Sequence, residues 1–200
     1  MNNDTANKDA EKIIEESINW NEINFPEIWP LIHYKFEECS NRSKYLIRIM
    51  KFSLIILVII QLVNLLDTII SVAGAYFSAF NVLYCFLNFF MILIFYSFTC
   101  YNGYIAFIIK DTYLRVRFLV LISCNICLFT AFSIINTGCF NGWFRIIVYG
   151  KNGEPGAIIC MILGILESSG YILVSSFSLW QLLYFILRID ASKLEQSCHS

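Results

Sequence analysis

Four stretches of nearly uninterrupted apolar sequence run through this chain: Phe52–Tyr76, Val82–Cys100, Phe118–Asn136 and Ala157–Ser178. A helix needs about 20 apolar residues to cross roughly 30 Å of hydrocarbon. Each stretch meets that length, and only Asp67 and Glu167 place a charge inside one. A water-soluble chain with this sequence would expose apolar surface over much of its exterior. The fold class that follows is all-α: a polytopic membrane protein whose four transmembrane helices form a bundle.

Lysine and arginine positions orient the bundle. Lys35, Arg42, Lys44, Arg48, Lys51, Lys110, Arg115, Arg117, Arg188 and Lys193 fall at one set of span ends. Only Arg145 and Lys151 fall at the other. The positive-inside rule therefore puts both termini and the connector between spans 2 and 3 in the cytosol. The sequons at Asn3 and Asn41 then face the cytosol and stay unmodified. No cleavable signal peptide is expected, because polar or mixed sequence precedes Phe52.

The chain divides into a cytosolic N-terminal segment (1–51), a membrane core (52–178) and a cytosolic amphipathic tail (179–200). Within 1–38, nine acids face three bases, which argues against nucleic acid as a partner, since that surface is basic. Residues 1–20 read as a short acidic helix or a solvated tail. Residues 20–40 set Trp20, Phe25, Trp29, Tyr34 and Phe36 among Pro26 and Pro30. Proline disfavours helix, and aromatic rings with polar handles favour the headgroup layer. This segment is expected to lie along the cytosolic membrane surface. Short connectors make spans 1, 2 and 3 successive antiparallel neighbours. The Gly-rich stretch from Thr137 to Gly156 is the one sizeable external loop. Beyond Ser178, Trp180–Arg188 either lies in the cytosolic interface or extends span 4.

Acids inside a span are costly and usually face the bundle interior or water. Asp67 and Glu167 are thus candidate functional groups. Gln61, Asn64, Thr68 and Ser71 form a polar stripe beside Asp67, and Gly164-x-x-x-Ser168 is a small-residue contact motif beside Glu167. Two readings stay open: a proton or cation path, or hydrogen-bonded packing residues. The polar residues of span 3, Ser123, Asn125, Thr130, Ser133 and Asn136, read as interhelical hydrogen-bonding groups. Cys39, Cys100 and Cys198 lie where S-palmitoylation occurs, and Cys85 and Cys139 both lie near the external side, where a disulfide is one option. The sequence has no GxSxG, HExxH or GxxxxGK[ST] motif, so no enzyme, metal or cofactor is expected.

Several short motifs, taken in order, resemble one family. They are Asn24-Phe25-Pro26-Glu27-Ile28-Trp29-Pro30 before the core, Leu62-Val-Asn64-Leu-Leu66 in span 1 and Ile94–Tyr101 closing span 2. Tyr104-Ile-Ala-Phe107 with Lys110, Asn141-Gly-Trp143 in the external loop and Gly156 complete the set. The chain from Asn24 to Ser192 resembles the secretory carrier membrane proteins, four-span proteins of post-Golgi and recycling vesicles. The chain has Asn102-Gly103 where that family has Arg-Pro, and it lacks Asn-Pro-Phe. Adaptor binding through that tripeptide is therefore not carried over. The resemblance implies a non-enzymatic role in protein transport, vesicle trafficking and exocytosis. It implies residence at the trans-Golgi, endosomal or secretory vesicles and plasma membrane. The implied partners are the lipid bilayer, anionic phospholipids and cytosolic trafficking proteins, with homo-oligomers an option. Lys44, Arg48, Lys51, Cys100, Tyr101, Tyr104, Phe107, Lys110, Arg115, Arg117 and Trp180 are the expected interface and lipid contacts. The alternative function is a small proton- or ion-coupled transporter or channel using Asp67 and Glu167.

Overall fold

The computed structural model describes residues 18–25, 27, 30–39, 41–74, 76–109, 111–137, 140–144, 147 and 155–197. It is helical, with four helices long and apolar enough to cross a membrane. They are α1 (Asn41–Ala73), α2 (Phe80–Ile108), α3 (Thr112–Ile134) and α4 (Pro155–Ser197). A two-stranded antiparallel hairpin, β1 (Asn136–Thr137) with β2 (Phe140–Asn141), follows α3. A single 3-10 turn, Phe36–Glu38, precedes α1.

The helices overrun the apolar stretches, for a physical reason. Backbone N–H and C=O groups in or near hydrocarbon must be satisfied internally, so polar side chains at the span ends do not stop the helix. α1 begins at Asn41, well before Phe52. α2 does not end at Cys100 but continues to Ile108 through Asn102 and Gly103, which are buried rather than looped. α3 starts at Thr112, where the Asp111 carboxylate caps the helix by accepting from the Leu114 N–H at 3.3 Å. The turn between α2 and α3 is thus shorter than the apolar pattern implies. α4 is unbroken through 43 residues, about 65 Å at the helical rise. Trp180–Arg188 therefore extends the helix.

Each helix packs on its chain neighbours, and α4 closes the ring by packing on α1. Sidedness is inverted relative to a water-soluble bundle. On α1, Phe52, Ile55, Ile59, Leu62, Leu66 and Ile69 point outward. Ser53, Gln61, Asn64, Asp67, Thr68 and Ser71 are buried with Leu57 and Ile60. Both sets recur at three- and four-residue spacing, the two faces of one helix. An apolar exterior with a polar interior suits hydrocarbon as the surrounding solvent.

Among the described residues, two apolar clusters fill the interior. The first lies where the N-terminal segment meets the starts of α1 and α3 and the end of α2, and it reaches Phe185 of α4. Phe107, Phe118 and Phe185 meet there with ring centroids 5.2–5.8 Å apart. The second holds Leu57, Ile60, Tyr96, Phe129, Tyr171 and Val174, with Phe132 and Phe140 against it. Phe140 of the hairpin stacks on Phe132 at 4.0 Å, which holds the loop down on the bundle.

Candidate functional site

Two assemblies bring together the residues singled out in the sequence. The first is a polar network inside the bundle, around Glu167. Its organiser is Asn141, which the hairpin returns to the interior and buries completely. The Asn141 backbone N–H donates to Glu167 Oε1 at 3.2 Å. Its amide nitrogen donates to Asn64 Oδ1 at 3.1 Å. Ser168 Oγ donates to its carbonyl at 3.3 Å. One loop residue thereby joins α1 to α4.

Gly142 makes this return feasible. A Cβ there would lie 2.5 Å from the Ile134 carbonyl carbon and 2.5 Å from the Ile135 oxygen. Its N–H donates to Ile135 O at 3.0 Å, closing the hairpin. Asp67 is fully buried one turn from Asn64; Ser71, a further turn along, is also fully buried, and its hydroxyl donates to the Asp67 carbonyl at 2.8 Å. Deeper in the bundle, Gln61 Nε2 donates to the Tyr171 hydroxyl at 2.8 Å. The structure thus puts both acids on buried helix faces and joins Asn64 and Glu167 through Asn141.

In the sequence, Asn141 stands out only as part of a loop motif. Its Asn-Gly pair is a turn signal, but nothing local says that the turn re-enters the bundle. Among the polar residues of span 3, Asn125 donates to Thr99 Oγ1 at 2.8 Å and Thr130 pairs with Ser175 at 2.9 Å, both between helices. Ser123 and Ser133 instead bond within α3. Cys85 is buried, while Cys139 lies outside the described residues.

The second assembly is an aromatic platform at the opposite end. Phe25 and Ile32 exchange backbone hydrogen bonds at 3.0 Å, pinching the N-terminal segment into a bridge. Asn24 Oδ1 accepts from the Tyr34 N–H at 2.7 Å. Tyr104 of α2 fastens this segment to the bundle. Its hydroxyl accepts from the Lys35 N–H at 2.9 Å and donates to Glu38 Oε2 at 3.0 Å. The Tyr34 and Tyr104 rings lie 4.5 Å apart. His33 adds contacts of 2.8 Å to the Glu22 carbonyl and to Glu38 Oε2. The Lys51 ammonium sits over the Tyr34 ring, 4.6 Å from its centroid. On the rim, Lys35 Nζ donates to Glu22 Oε2 at 2.7 Å; the pair raises the lysine and lowers the carboxyl.

The expected interface residues divide by depth. Arg48, Lys51, Arg117 and Trp180 are exposed, while Lys44, Arg115, Cys100 and Tyr101 are half-buried. Arg117 covers the Phe98 ring at 5.0 Å. Tyr104 and Phe107 are corrected by the structure. They are buried, so they act as packing residues and not as lipid contacts. Because α2 stays helical here, they face inward while Tyr101 remains half-buried. Pro26, Trp29 and Lys110 lie outside the described residues, and Asn24 and Phe25 are the parts of their motif seen in contact with the platform. Lys51, Cys100, Tyr101 and Phe25 share the wall of one cavity of about 110 Å³.

Cys39 is also deeper than an acylation site requires. Burial, with the nearby Glu38 carboxylate, pushes its thiol up to about 12. Thiolate is the nucleophile, so at neutral pH the folded chain should react with maleimide at Cys39 at least about a hundredfold more slowly than the unfolded chain. Mass-spectrometric labelling kinetics check this, and equal rates in the two states would contradict the placement. Cys198 lies outside the described residues.

Comparisons with family models, with curated proteins and with solved structures found no match.

Proposed function

We propose that this chain is a non-enzymatic four-span component of vesicle-mediated protein transport, acting through the segments that flank its membrane core. The observation that carries this reading is the platform. The segments assigned by sequence to one membrane face meet in one apolar cluster, which joins the N-terminal segment, the α2–α3 turn and Phe185 of α4. The charge bias of the span ends gives that face to the cytosol. The ordered resemblance to secretory carrier membrane proteins supplies the process. On this reading the helices are a scaffold, and the exposed Arg48, Lys51, Arg117 and Trp180 lie on the surface that would meet anionic lipid and trafficking partners.

A full-length tagged chain, imaged in its own cells, tests this. The expected location is Golgi-derived and endosomal vesicles, with delayed surface arrival of a secretory cargo when the chain is depleted. Uniform residence in the endoplasmic reticulum or mitochondria, with normal cargo kinetics, would sink the reading.

The Glu167 network favours one second reading. Asn64, Glu167 and Asn141 are hydrogen-bonded in the bundle interior, with Asp67 buried one turn from Asn64. Such groups serve ion-coupled transport elsewhere. Against that use, the cluster of Leu57, Ile60, Phe129 and Val174 fills the bundle with apolar side chains, and Asn141 occupies Glu167 Oε1. Proteoliposome flux abolished by Asp67→Asn would favour transport.

A further inference from the structure

Buried polar groups from all four helices separate the two apolar clusters. On α1, Ser53 stands between Met50 of the first cluster and Leu57 of the second. On α3, Asn125 stands between Ile122 and Phe129, and on α4, Ser178 and Gln181 stand between Val174 and Phe185. On α2 the layer holds the Tyr96 hydroxyl and Thr99. None of these six residues is more than 1% exposed.

Part of the layer is satisfied from within. The Ser53 hydroxyl donates to the Ile49 carbonyl at 2.8 Å, and the Thr99 hydroxyl, which accepts from Asn125, donates to the Phe95 carbonyl at 3.0 Å. The rest is not. The Tyr96 and Ser178 hydroxyls and both amide atoms of Gln181 have no hydrogen-bond partner among the described residues. Yet Ser53, Ser178 and Gln181 are the polar neighbours of the Tyr96 hydroxyl. They are close enough to act on it and not aligned to bond it directly.

We infer that water occupies this layer, bridging Tyr96, Ser178 and Gln181 in an internal hydration site sealed between the two apolar clusters. Polar groups that face one another without a direct bond are the usual setting for a bridging water, and a buried water needs about two to four partners. Buried polar atoms left unpaired are rare because each forfeits its hydration. Gln181 selects the ligand. Its amide asks for an acceptor at Nε2 and a donor at Oε1, and water supplies both. A monovalent cation would serve the oxygens alone, leave Nε2 unpaired and bring an uncompensated charge among neutral groups. The site does not depend on the trafficking reading, since a transporter could hold water in the same place.

Nuclear magnetic resonance of the full chain in lipid nanodiscs tests it. The chain has three glutamines, Gln61, Gln181 and Gln196, so isotope labelling of glutamine nitrogen alone leaves few side-chain amide signals. Loss of one signal in Gln181→Met assigns the Gln181 amide. Its protons should show a cross-peak from water, of the sign that marks through-space contact and not proton exchange. The cross-peak should persist in Tyr96→Phe and in Ser178→Ala, because each variant leaves the water with Gln181 and one hydroxyl. The amide shift should not change when sodium and potassium are replaced by a bulky organic cation. A missing cross-peak in the wild type would overturn the proposal. So would its loss in either single variant, which would make that hydroxyl proton its source, or an amide shift that follows sodium or potassium. Should a variant fail to fold, the wild-type cross-peak and its response to cations still decide the matter.

Discussion

Gly142→Ala is expected to lower the stability of the folded bundle by about 3 kcal/mol, the upper end for overpacking a dense interior. The added Cβ meets backbone, at 2.5 Å from both the Ile134 carbonyl carbon and the Ile135 oxygen. Backbone at the end of α3 cannot rotate aside as a side chain can. The hairpin must lift, and lifting it withdraws Asn141 from Asn64 and Glu167. Other glycines make the contrast. At Gly164 a Cβ comes only within 3.4 Å of the Asn141 oxygen, so Gly164→Ala should be nearly neutral. At Gly103 the nearest atom is the terminal methyl of Met50, with Phe118 at 2.8 Å; a flexible side-chain end can move, so the cost should fall between the two. Unfolding in mixed micelles with SDS, followed by helical circular dichroism, checks the order. An unaltered midpoint for Gly142→Ala would mean that the loop does not enter the bundle.

Substitutions at Glu167 should separate a packing role from a transport role. Glu167→Leu removes the acceptor for the Asn141 N–H and leaves a buried donor unpaired, a loss of about 1–3 kcal/mol. Glu167→Gln keeps an acceptor oxygen and a similar volume, so it should cost less than about 1 kcal/mol. If the residue serves as structural support, Glu167→Gln also keeps the cellular location of the wild type and, on the proposed trafficking reading, its effect on cargo kinetics. If it carries protons or cations, Glu167→Gln abolishes function while stability holds. Stability and cargo transport measured on both variants distinguish the two outcomes.

The four helices were legible because hydrocarbon thickness imposes a length that few other structures need. Their ends were not. Asn102 and Gly103 interrupt the apolar run, and Lys110, Asp111, Arg115 and Arg117 bring charge before Phe118, yet the backbone remains helical through Ile108 and resumes at Thr112. Reading that stretch as a connector placed Tyr104 and Phe107 at the lipid surface; on a helix they turn inward. The polar stripe of Gln61, Asn64, Thr68 and Ser71 was visible as spacing, and all four are buried. The link from Asn64 to Glu167 was hidden, because counting residues along each span gives depth alone. It says nothing about a loop residue standing between two helices. The Tyr104 bonds to Lys35 and Glu38 join positions far apart in the chain, and no local pattern announces such a pairing.

The central claim is that the aromatic platform faces the cytosol and the Asn141 hairpin end faces away. Epitope insertion measures this directly. One epitope placed after Ser78, between α1 and α2, and another at the C-terminus would each be probed in cells whose plasma membrane alone has been opened with digitonin. The account predicts that antibody reaches the C-terminal epitope at once and the Ser78 epitope only after full detergent permeabilisation of the internal membranes. Immediate access to the Ser78 epitope, with a protected C-terminus, would contradict it.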